Sequence, residues 1–93
     1  MAISTNSIEF KEWMNKLQSV TDPIKQKQIL KDMLPIFTYD HIIYYFLGCT
    51  YGLLRNIKKA TTFYKLSILL NPNHFDSYLN LLIIFQEFIQ GCL

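Results

Sequence analysis

Few residues in this chain have the types and spacing that catalysis or metal binding requires. His41 and His74 are its two histidines, and neither has an acidic residue, a cysteine or another histidine three or four positions further on, as a helical metal site would need. Serine and aspartate are present, but no nucleophile elbow, Gly-rich phosphate loop or H-E-x-x-H motif arranges them for chemistry. Both histidines fall near expected helix starts, where an imidazole is typically a surface or capping group. We therefore predict that the protein is not an enzyme and holds no cofactor or metal ion.

The composition excludes further classes of function. The chain has 93 residues and a net charge of +2, which is too small to indicate nucleic-acid binding. Cys49 and Cys92 lack metal-ligand or disulfide-framework spacing, and no targeting signal is visible, so an intracellular, cytoplasmic protein is expected. Polar residues such as Asn80 and Glu87 interrupt the apolar stretch 75–93, so no membrane span is predicted. With 51% hydrophobic and 17% charged residues, the chain should form a single domain with a surplus of apolar side chains.

The apolar residues recur at helical rather than strand spacing along the whole chain. Capping and proline signals divide this pattern into five helices with short connections, which predicts an all-α fold. The expected helix starts are a capping box at Asn6, the segment 21–23, Thr38 or Asp40, Asn56, and the segment 71–73. The helices are expected to end near residues 20, 34, 54, 70 and 90, with Gly91 as the last stop.

Large apolar residues recur with a period of 34 residues. Three rows of four positions align, and in each row the first and last members are seven residues apart on one helix face. The rows are Phe10, Trp13, Met14 and Leu17; Tyr44, Leu47, Gly48 and Tyr51; and Tyr78, Leu81, Leu82 and Phe85. Because a helical hairpin cannot bury its apolar face alone, this period predicts successive hairpins that pack on one another through these positions.

The middle row and the helix after it resemble the tetratricopeptide repeat. Tyr44, Leu47, Gly48 and Tyr51 stand at the fourth, seventh, eighth and eleventh positions of that repeat, and Ala60, Tyr64, Ser67 and Pro72 at the twentieth, twenty-fourth, twenty-seventh and thirty-second, with Ser67 a mild departure. The resemblance implies stacked antiparallel helical hairpins, an α-solenoid fragment in which Gly48 and Ala60 allow close helix approach. It covers residues 6–34 as a degenerate hairpin, 41–72 as the best-matching repeat and 74–90 as an unpaired last helix.

The resemblance also implies a function, since this family binds peptides and partner proteins in a groove lined by the first helices of its hairpins. The equivalent positions here are Ile42, Tyr45, Cys49, Gly52 and Leu53 in the middle hairpin and Asp76, Leu79, Ile83, Gln86 and Glu87 in the last helix. They are mostly apolar and lack the basic cluster with which some members clamp a carboxylate. The hypothesis is an adaptor, scaffold or small subunit that binds a helical or hydrophobic segment of a protein partner. The alternative is that these residues are simply core, or are covered by the N-terminal hairpin or by neighbouring chain.

The fifth helix supports a second hypothesis, which is self-association. Apolar residues surround its axis on nearly every side, and such a helix should be buried all round. The sequence shows no polar helix after it to cover this surface, so a structural homodimer through the fifth helix is the alternative to a separate partner. The basic residues Arg55, Lys58, Lys59 and Lys65 are interpreted as a solvated face, with a small acidic partner as the other interpretation.

Overall fold

The computed structural model describes the backbone of residues 8–92 and the side chains of residues 8–87. Within that range the chain forms helices and no strand: α1 (Ile8–Gln18), α2 (Pro23–Met33), α3 (His41–Leu53), α4 (Ile57–Leu70) and α5 (Phe75–Cys92). The predicted all-α fold with five helices is confirmed. The predicted cap Asn6 lies outside the described residues. None of the helices between residues 8 and 92 has the length and hydrophobicity needed to cross a membrane.

Three helices begin at predicted capping residues. Asp22 and Asp40 each accept a hydrogen bond at 3.0 Å from the backbone N–H two residues further on, and Asn56 accepts one at 3.2 Å from the N–H three residues further on. These side chains satisfy N–H groups that have no partner inside the helix. Thr38, the other candidate for the start of α3, does not cap it. Its hydroxyl donates instead to the carbonyl of Leu34, 3.1 Å away at the end of α2.

The α3–α4 hairpin forms the most extensive helix pair of the molecule. A Cβ atom on Gly48 would lie 2.7 Å from ring carbons of Tyr64, so only glycine allows the two helices to come this close. Tyr51 stacks on Phe63 with ring centroids 5.4 Å apart. The predicted packing positions of this hairpin are buried or half-buried: Tyr44, Leu47, Gly48, Tyr51, Ala60, Tyr64 and Ser67. Pro72 is exposed in the turn between α4 and α5.

The N-terminal helices complete the core on the α2 side of α3. Phe10 packs edge-on against Phe37, with ring centroids 5.2 Å apart. The fully buried side chains here are Leu30, Met33 and Phe37. The predicted stripe of α1 is buried at Phe10 and Leu17, whereas Trp13 and Met14 are half-exposed against the edge of the core.

α5 packs on α4 along one narrow stripe. The buried residues of α5 among the described side chains are Ser77, Leu81 and Ile84, spaced at i, i+4 and i+7. Among residues 75–87, the other faces of the helix have no comparable neighbour, since α4 is the helix that contacts α5 extensively. The helix also continues through Gly91, the predicted stop, to Cys92.

The third row of the repeat is therefore packed differently from what its pattern predicts. Leu81 is buried, but Tyr78, Leu82 and Phe85 are 45%, 64% and 45% exposed. In the middle row the same positions are covered because a second helix, α4, folds back over them. Within residues 8–92 no helix folds back over α5 in that way, so these three side chains contact solvent.

Candidate functional site

An open groove of about 320 Å³ lies between the C-terminal half of α3, α4 and the middle of α5. The residues that line it are Cys49, Gly52, Leu53, Arg55, Ile57, Tyr64, Asn80, Ile83, Ile84 and Glu87. Positions 80, 83, 84 and 87 fall on one face of a helix, which explains how α5 forms a continuous wall. The groove therefore depends on the packing of α5 against the α3–α4 hairpin.

Three of the predicted partner-binding residues meet in this groove. Cys49 and Leu53 line it from α3, and Ile83 lines it from α5. Leu53 and Ile83 are 66% and 43% exposed, so both present apolar surface to solvent. Gly52 and Glu87, two further groove positions of the repeat pattern, contribute to the same lining.

The other four predicted partner-binding residues lie outside this lining. Ile42 and Tyr45 are half-buried and pack against the core in the first half of α3. Leu79 is 54% exposed on α5, and Gln86 is exposed two turns further along the same helix. Their part in binding stays a prediction.

Asn80 links three helices at the floor of the groove. Its amide nitrogen lies 3.3 Å from the Tyr45 hydroxyl, 3.2 Å from the Tyr64 hydroxyl and 3.6 Å from the Cys49 sulfur. The amide has two hydrogens for these three acceptors, so Asn80 can donate to at most two of them at a time. Sequence reasoning assigned Asn80 no role. The available signal was that Asn80 is the one polar residue in the run 79–85.

Burial makes both tyrosine hydroxyls of this network harder to ionise than an ordinary tyrosine, which is already protonated at neutral pH. Loss of solvation is the main cause that raises the pKa of Tyr64 well above its ordinary value, and the neighbouring Cys49 thiol raises it further. The pKa of Tyr45 is raised by the same two causes. The hydroxyls therefore act as hydrogen-bond donors and acceptors at neutral pH and not as bases.

The rim of the groove carries one residue of each charge, Arg55 at the end of α3 and Glu87 on α5. Arg55 has a φ of 64°, in the left-handed region. The backbone N–H groups of Arg55 and Asn56 donate to the carbonyls of Gly52 and Tyr51 at 3.1 and 2.9 Å. This Schellman arrangement ends α3 and places the guanidinium-bearing residue at the rim.

A second polar cluster lies where the starts of α3 and α5 meet. His41, the first residue of α3, is edge-on to His74, which precedes α5, with ring centroids 4.9 Å apart. Ser67 and Ser77 are fully buried beside them and are 3.0 Å apart. In the sequence each histidine is an ordinary residue near a helix start. The 34-residue period predicts that successive hairpins pack together, but it does not show that these two rings touch.

The histidine cluster does not present a nucleophile to solvent. Ser77 is fully buried and donates its hydroxyl hydrogen to Ser67, which in turn donates to the carbonyl of His41. Among the side chains of residues 8–87, no three His, Cys, Asp or Glu residues come together as metal ligands would. The groove itself offers apolar surface with polar atoms at its floor and rim, which is a composition suited to holding a peptide segment.

α5 adds a broad apolar surface beside the groove. Its exposed large apolar residues are Phe75, Tyr78, Leu79, Leu82, Ile83 and Phe85. The charged side chains of this helix are Asp76 and Glu87. Monomeric proteins rarely expose a contiguous apolar patch of this kind.

Neither sequence nor fold similarity assigns a family to the chain. The resemblance to the tetratricopeptide repeat therefore stays a prediction, and the evidence on function is the geometry of the groove and of α5. No family model, no curated protein and no solved structure matches this chain.

Proposed function

We propose that the protein is a noncatalytic protein-interaction module that binds a helical or hydrophobic segment of a partner in the groove between α3 and α5. In the cytoplasm it would act as an adaptor or scaffold, or as a small subunit of a larger assembly. The observation that carries the proposal is the groove of about 320 Å³, whose lining includes the exposed Leu53 of α3 and the exposed Ile83 of α5.

The chemistry of the groove favours an amphipathic helix as the bound segment. An apolar partner side chain that becomes fully buried contributes about 1.5 to 3 kcal/mol to binding. Amphipathic helices present such side chains at i, i+3 or i+4, and i+7, which matches a groove with apolar walls on two helices. Arg55 and Glu87 at the rim favour one orientation of a partner that carries the complementary charges.

The repeat pattern supports the same proposal from the sequence. In the tetratricopeptide family the first helices of successive hairpins line the binding groove, and α3 and α5 hold those places in the pattern. Both helices line the groove described above. The noncatalytic role is supported by the engagement of the buried serines with one another rather than with solvent.

A pair of matched isoleucine substitutions tests the proposal. Ile83→Glu places a carboxylate in the groove, and Ile24→Glu places the same group on α2, where Ile24 is 61% exposed and lies outside the groove lining. The probe is a displayed library of amphipathic helical peptides, followed by fluorescence anisotropy with an enriched peptide. We expect wild type and Ile24→Glu to bind alike and Ile83→Glu to bind at least about tenfold more weakly, a loss of about 1.4 kcal/mol.

The helical circular dichroism spectrum should be the same for all three proteins, since both positions are exposed. Equal peptide affinity of Ile83→Glu and Ile24→Glu would show that the peptide binds outside this groove. A library from which no peptide is enriched would count against a helix-binding groove.

A structural homodimer through α5 is the second candidate, and the exposed apolar face of that helix favours it. Leu82 is 64% exposed and lies outside the groove lining, so Leu82→Glu should weaken a dimer and leave the groove intact. Sedimentation equilibrium tests this candidate. A wild-type dimer that becomes a monomer in Leu82→Glu supports the homodimer, and a wild-type monomer at high concentration rejects it.

A further inference from the structure

Both histidines of the chain lie in one cluster where α3, α4 and α5 meet. Histidine is the side chain whose ordinary pKa falls within the physiological range. Mild acidification therefore changes the charge of this protein mainly at one place, at the junction that joins α5 to the α3–α4 hairpin.

The side chain of Asn71 requires a neutral His41. Its amide nitrogen lies 3.2 Å from Nε2 of His41, and because an amide nitrogen can only donate, Nε2 must accept. The amide cannot simply rotate to offer its oxygen, since that oxygen accepts a hydrogen bond at 3.1 Å from the backbone N–H of Asn73. A proton on Nε2 would set two donors against each other and break this contact between α3 and the end of α4.

A chain of hydroxyl groups ties the start of α5 to the same place. Ser67 of α4 donates to the backbone carbonyl of His41 at 2.9 Å, and Ser77 of α5 donates to Ser67 at 3.0 Å. Because both hydroxyl hydrogens are then used, Ser77 must accept from Nδ1 of His74, 2.8 Å away. The three helices are therefore joined by a directed chain that ends at the first residue of α3.

The surroundings oppose a positive charge on His41. It is the first residue of α3, and His74 directly precedes α5, so both rings lie at the positive ends of helix dipoles. Burial is the main cause that lowers the pKa of His41, and the nearby His74 lowers it further.

The acidic groups near the cluster compensate only in part. Asp40 precedes His41 and partly offsets the lowering of its pKa, but burial raises the pKa of Asp40 itself, so this compensating charge weakens in acid. Asp76 on α5 is exposed to solvent. Tyr45 of α3 packs edge-on against His74, with ring centroids 4.8 Å apart, and its hydroxyl is neutral, so it adds no negative charge. The side chains that α4 and the following turn contribute to the cluster are Ser67 and Asn71, which are uncharged.

Beyond the histidine cluster, α5 is attached through its buried stripe and through Asn80 in the middle of the helix. Its buried side chains among residues 75–87 are Ser77, Leu81 and Ile84, and Ser77 belongs to the hydroxyl chain itself. Elements with few buried apolar contacts open locally at a small free-energy cost. Ser77 is the first buried residue of α5, so the N-terminal part of this helix depends on the polar junction more than its middle does.

We propose that protonation of His41 releases the N-terminal part of α5 from α3 and α4, which makes α5 an acid-sensitive wall of the groove. Protonation breaks the Asn71 contact and places a positive charge on His41, beside the positive N-terminal ends of α3 and α5. For the proposed function, the consequence is that the binding groove is formed at neutral pH and is lost in acid. Only that consequence rests on the proposed function, because the release of α5 needs no partner.

The direction of the pH dependence follows from linkage. The pKa of His41 is lower in the folded protein than the 6.5 of an unperturbed histidine, so the attachment of α5 is at full strength above that value. It weakens as the pH falls below 6.5 toward the lower pKa of the folded state. One proton can change the opening equilibrium by at most about tenfold per pH unit.

Hydrogen exchange of the full chain, read by mass spectrometry between pH 7.5 and 5 and corrected for intrinsic rates, tests the release without any ligand. We expect protection of amides 77–87 to fall by up to about tenfold per pH unit below the ordinary histidine pKa, with amides 60–67 of α4 as the internal control. His41→Gln keeps a neutral side chain at every pH and an oxygen that can accept from Asn71, so its α5 protection should not change over this range. His74→Gln removes a group that lowers the pKa of His41, so the loss of α5 protection in acid should be smaller than in wild type.

Protection of α5 that does not change with pH in wild type would overturn the proposal, as would an equal response in His41→Gln. Loss of protection in α4 at the same pH would also overturn it, because the acid response would then be global unfolding. If His41→Gln does not fold, an NMR titration of wild type decides, since a His41 pKa at or above 6.5 would contradict the mechanism. None of these outcomes depends on peptide binding, so a failed release and a failed groove remain distinguishable.

Discussion

α3 and α5 carry the same spacing of large apolar residues, and the protein buries the first set while it exposes most of the second. Gly48 and Tyr51 of α3 are buried under α4, whereas Leu82 and Phe85 at the aligned positions of α5 are 64% and 45% exposed. Leu81 is the aligned residue of α5 that is buried. The comparison shows that helical spacing determines which face of a helix is apolar, and that the neighbouring helix determines whether this face becomes core.

The two helices should therefore use their apolar residues for different purposes. In α3 the ring stack of Tyr51 on Phe63 and the contact of Gly48 with Tyr64 lie inside the hairpin, so changes there should act on folding. In α5 the exposed side chains contribute little to the stability of the folded monomer, so substitutions there should mainly affect association. Matched substitutions in the two rows separate these effects.

The largest difference in stability loss between the two rows is expected at the eleventh position of the repeat, Tyr51 in α3 and Phe85 in α5. Tyr51 is 4% exposed and Phe85 is 45% exposed. Tyr51→Ala removes a buried ring, so we expect the free energy of unfolding to fall by about 3 to 5 kcal/mol. Phe85→Ala should cost about 1 kcal/mol or less in the monomer. Urea denaturation followed by circular dichroism at low protein concentration measures both, and equal losses would show that the exposed face of α5 is covered in solution.

At the eighth position of the repeat, Gly48 in α3 and Leu82 in α5, we expect a smaller difference in stability loss, again with the larger loss in α3. A Cβ atom at Gly48 would lie 2.7 Å from the Tyr64 ring, so Gly48→Ala should cost about 1 to 3 kcal/mol of overpacking, even though alanine is intrinsically the better helix former. Leu82→Ala should change stability by no more than about 0.5 kcal/mol. The same denaturation experiment applies. A stabilising Gly48→Ala would mean that the helices can separate to admit the methyl group.

The smallest effect on stability is expected at the helix starts, where one substitution should stabilise the protein. Asp40 caps α3 with Oδ1, but its Oδ2 is buried and finds no hydrogen-bond partner among the described residues. Asp40→Ser keeps an oxygen that can cap and removes the orphaned one, so we expect a gain of about 1 kcal/mol at pH 7. Asp22→Ser at the exposed start of α2 is the matched control and should be nearly neutral.

The gain from Asp40→Ser should depend on pH. Burial raises the pKa of Asp40 above 3.8, so wild type loses stability as the pH rises from 3.8 through the folded-state pKa. The advantage of the serine variant should therefore vanish in strong acid and be complete at neutral pH. Thermal unfolding at pH 3 and pH 7 measures it, and an advantage of equal size at both values would contradict burial of the charged carboxylate as its cause.

Much of the fold could be predicted because its signals are local. The caps at Asp22, Asp40 and Asn56 are read from a side chain and the N–H groups two or three residues away. The close approach at Gly48 was predicted for a different reason, because the resemblance to the tetratricopeptide repeat implies it at this position. Cys49, Leu53 and Ile83, which line the groove, were predicted as groove positions from the same resemblance, and their part in binding stays a prediction.

The polar junctions of the site could not be predicted in this way. Asn80 is an interruption in an apolar run when read along the sequence, and it joins Tyr45 and Tyr64 only because α5 crosses both α3 and α4. His41 and His74 each read as an ordinary residue near a helix start. Their contact depends on the relative positions of two helices, which no spacing within one helix encodes.

The amino-acid sequence by itself determined five helices, the caps of α2, α3 and α4 and the apolar faces, because these depend on hydrogen bonds and periodicity between near neighbours in the chain. Only the tertiary structure decided that the apolar face of α3 is core, which residues of the uncovered α5 are exposed, and that the two histidines share one junction. The reason is physical: burial and long-range hydrogen bonds depend on which helices lie side by side and on how much surface each one covers.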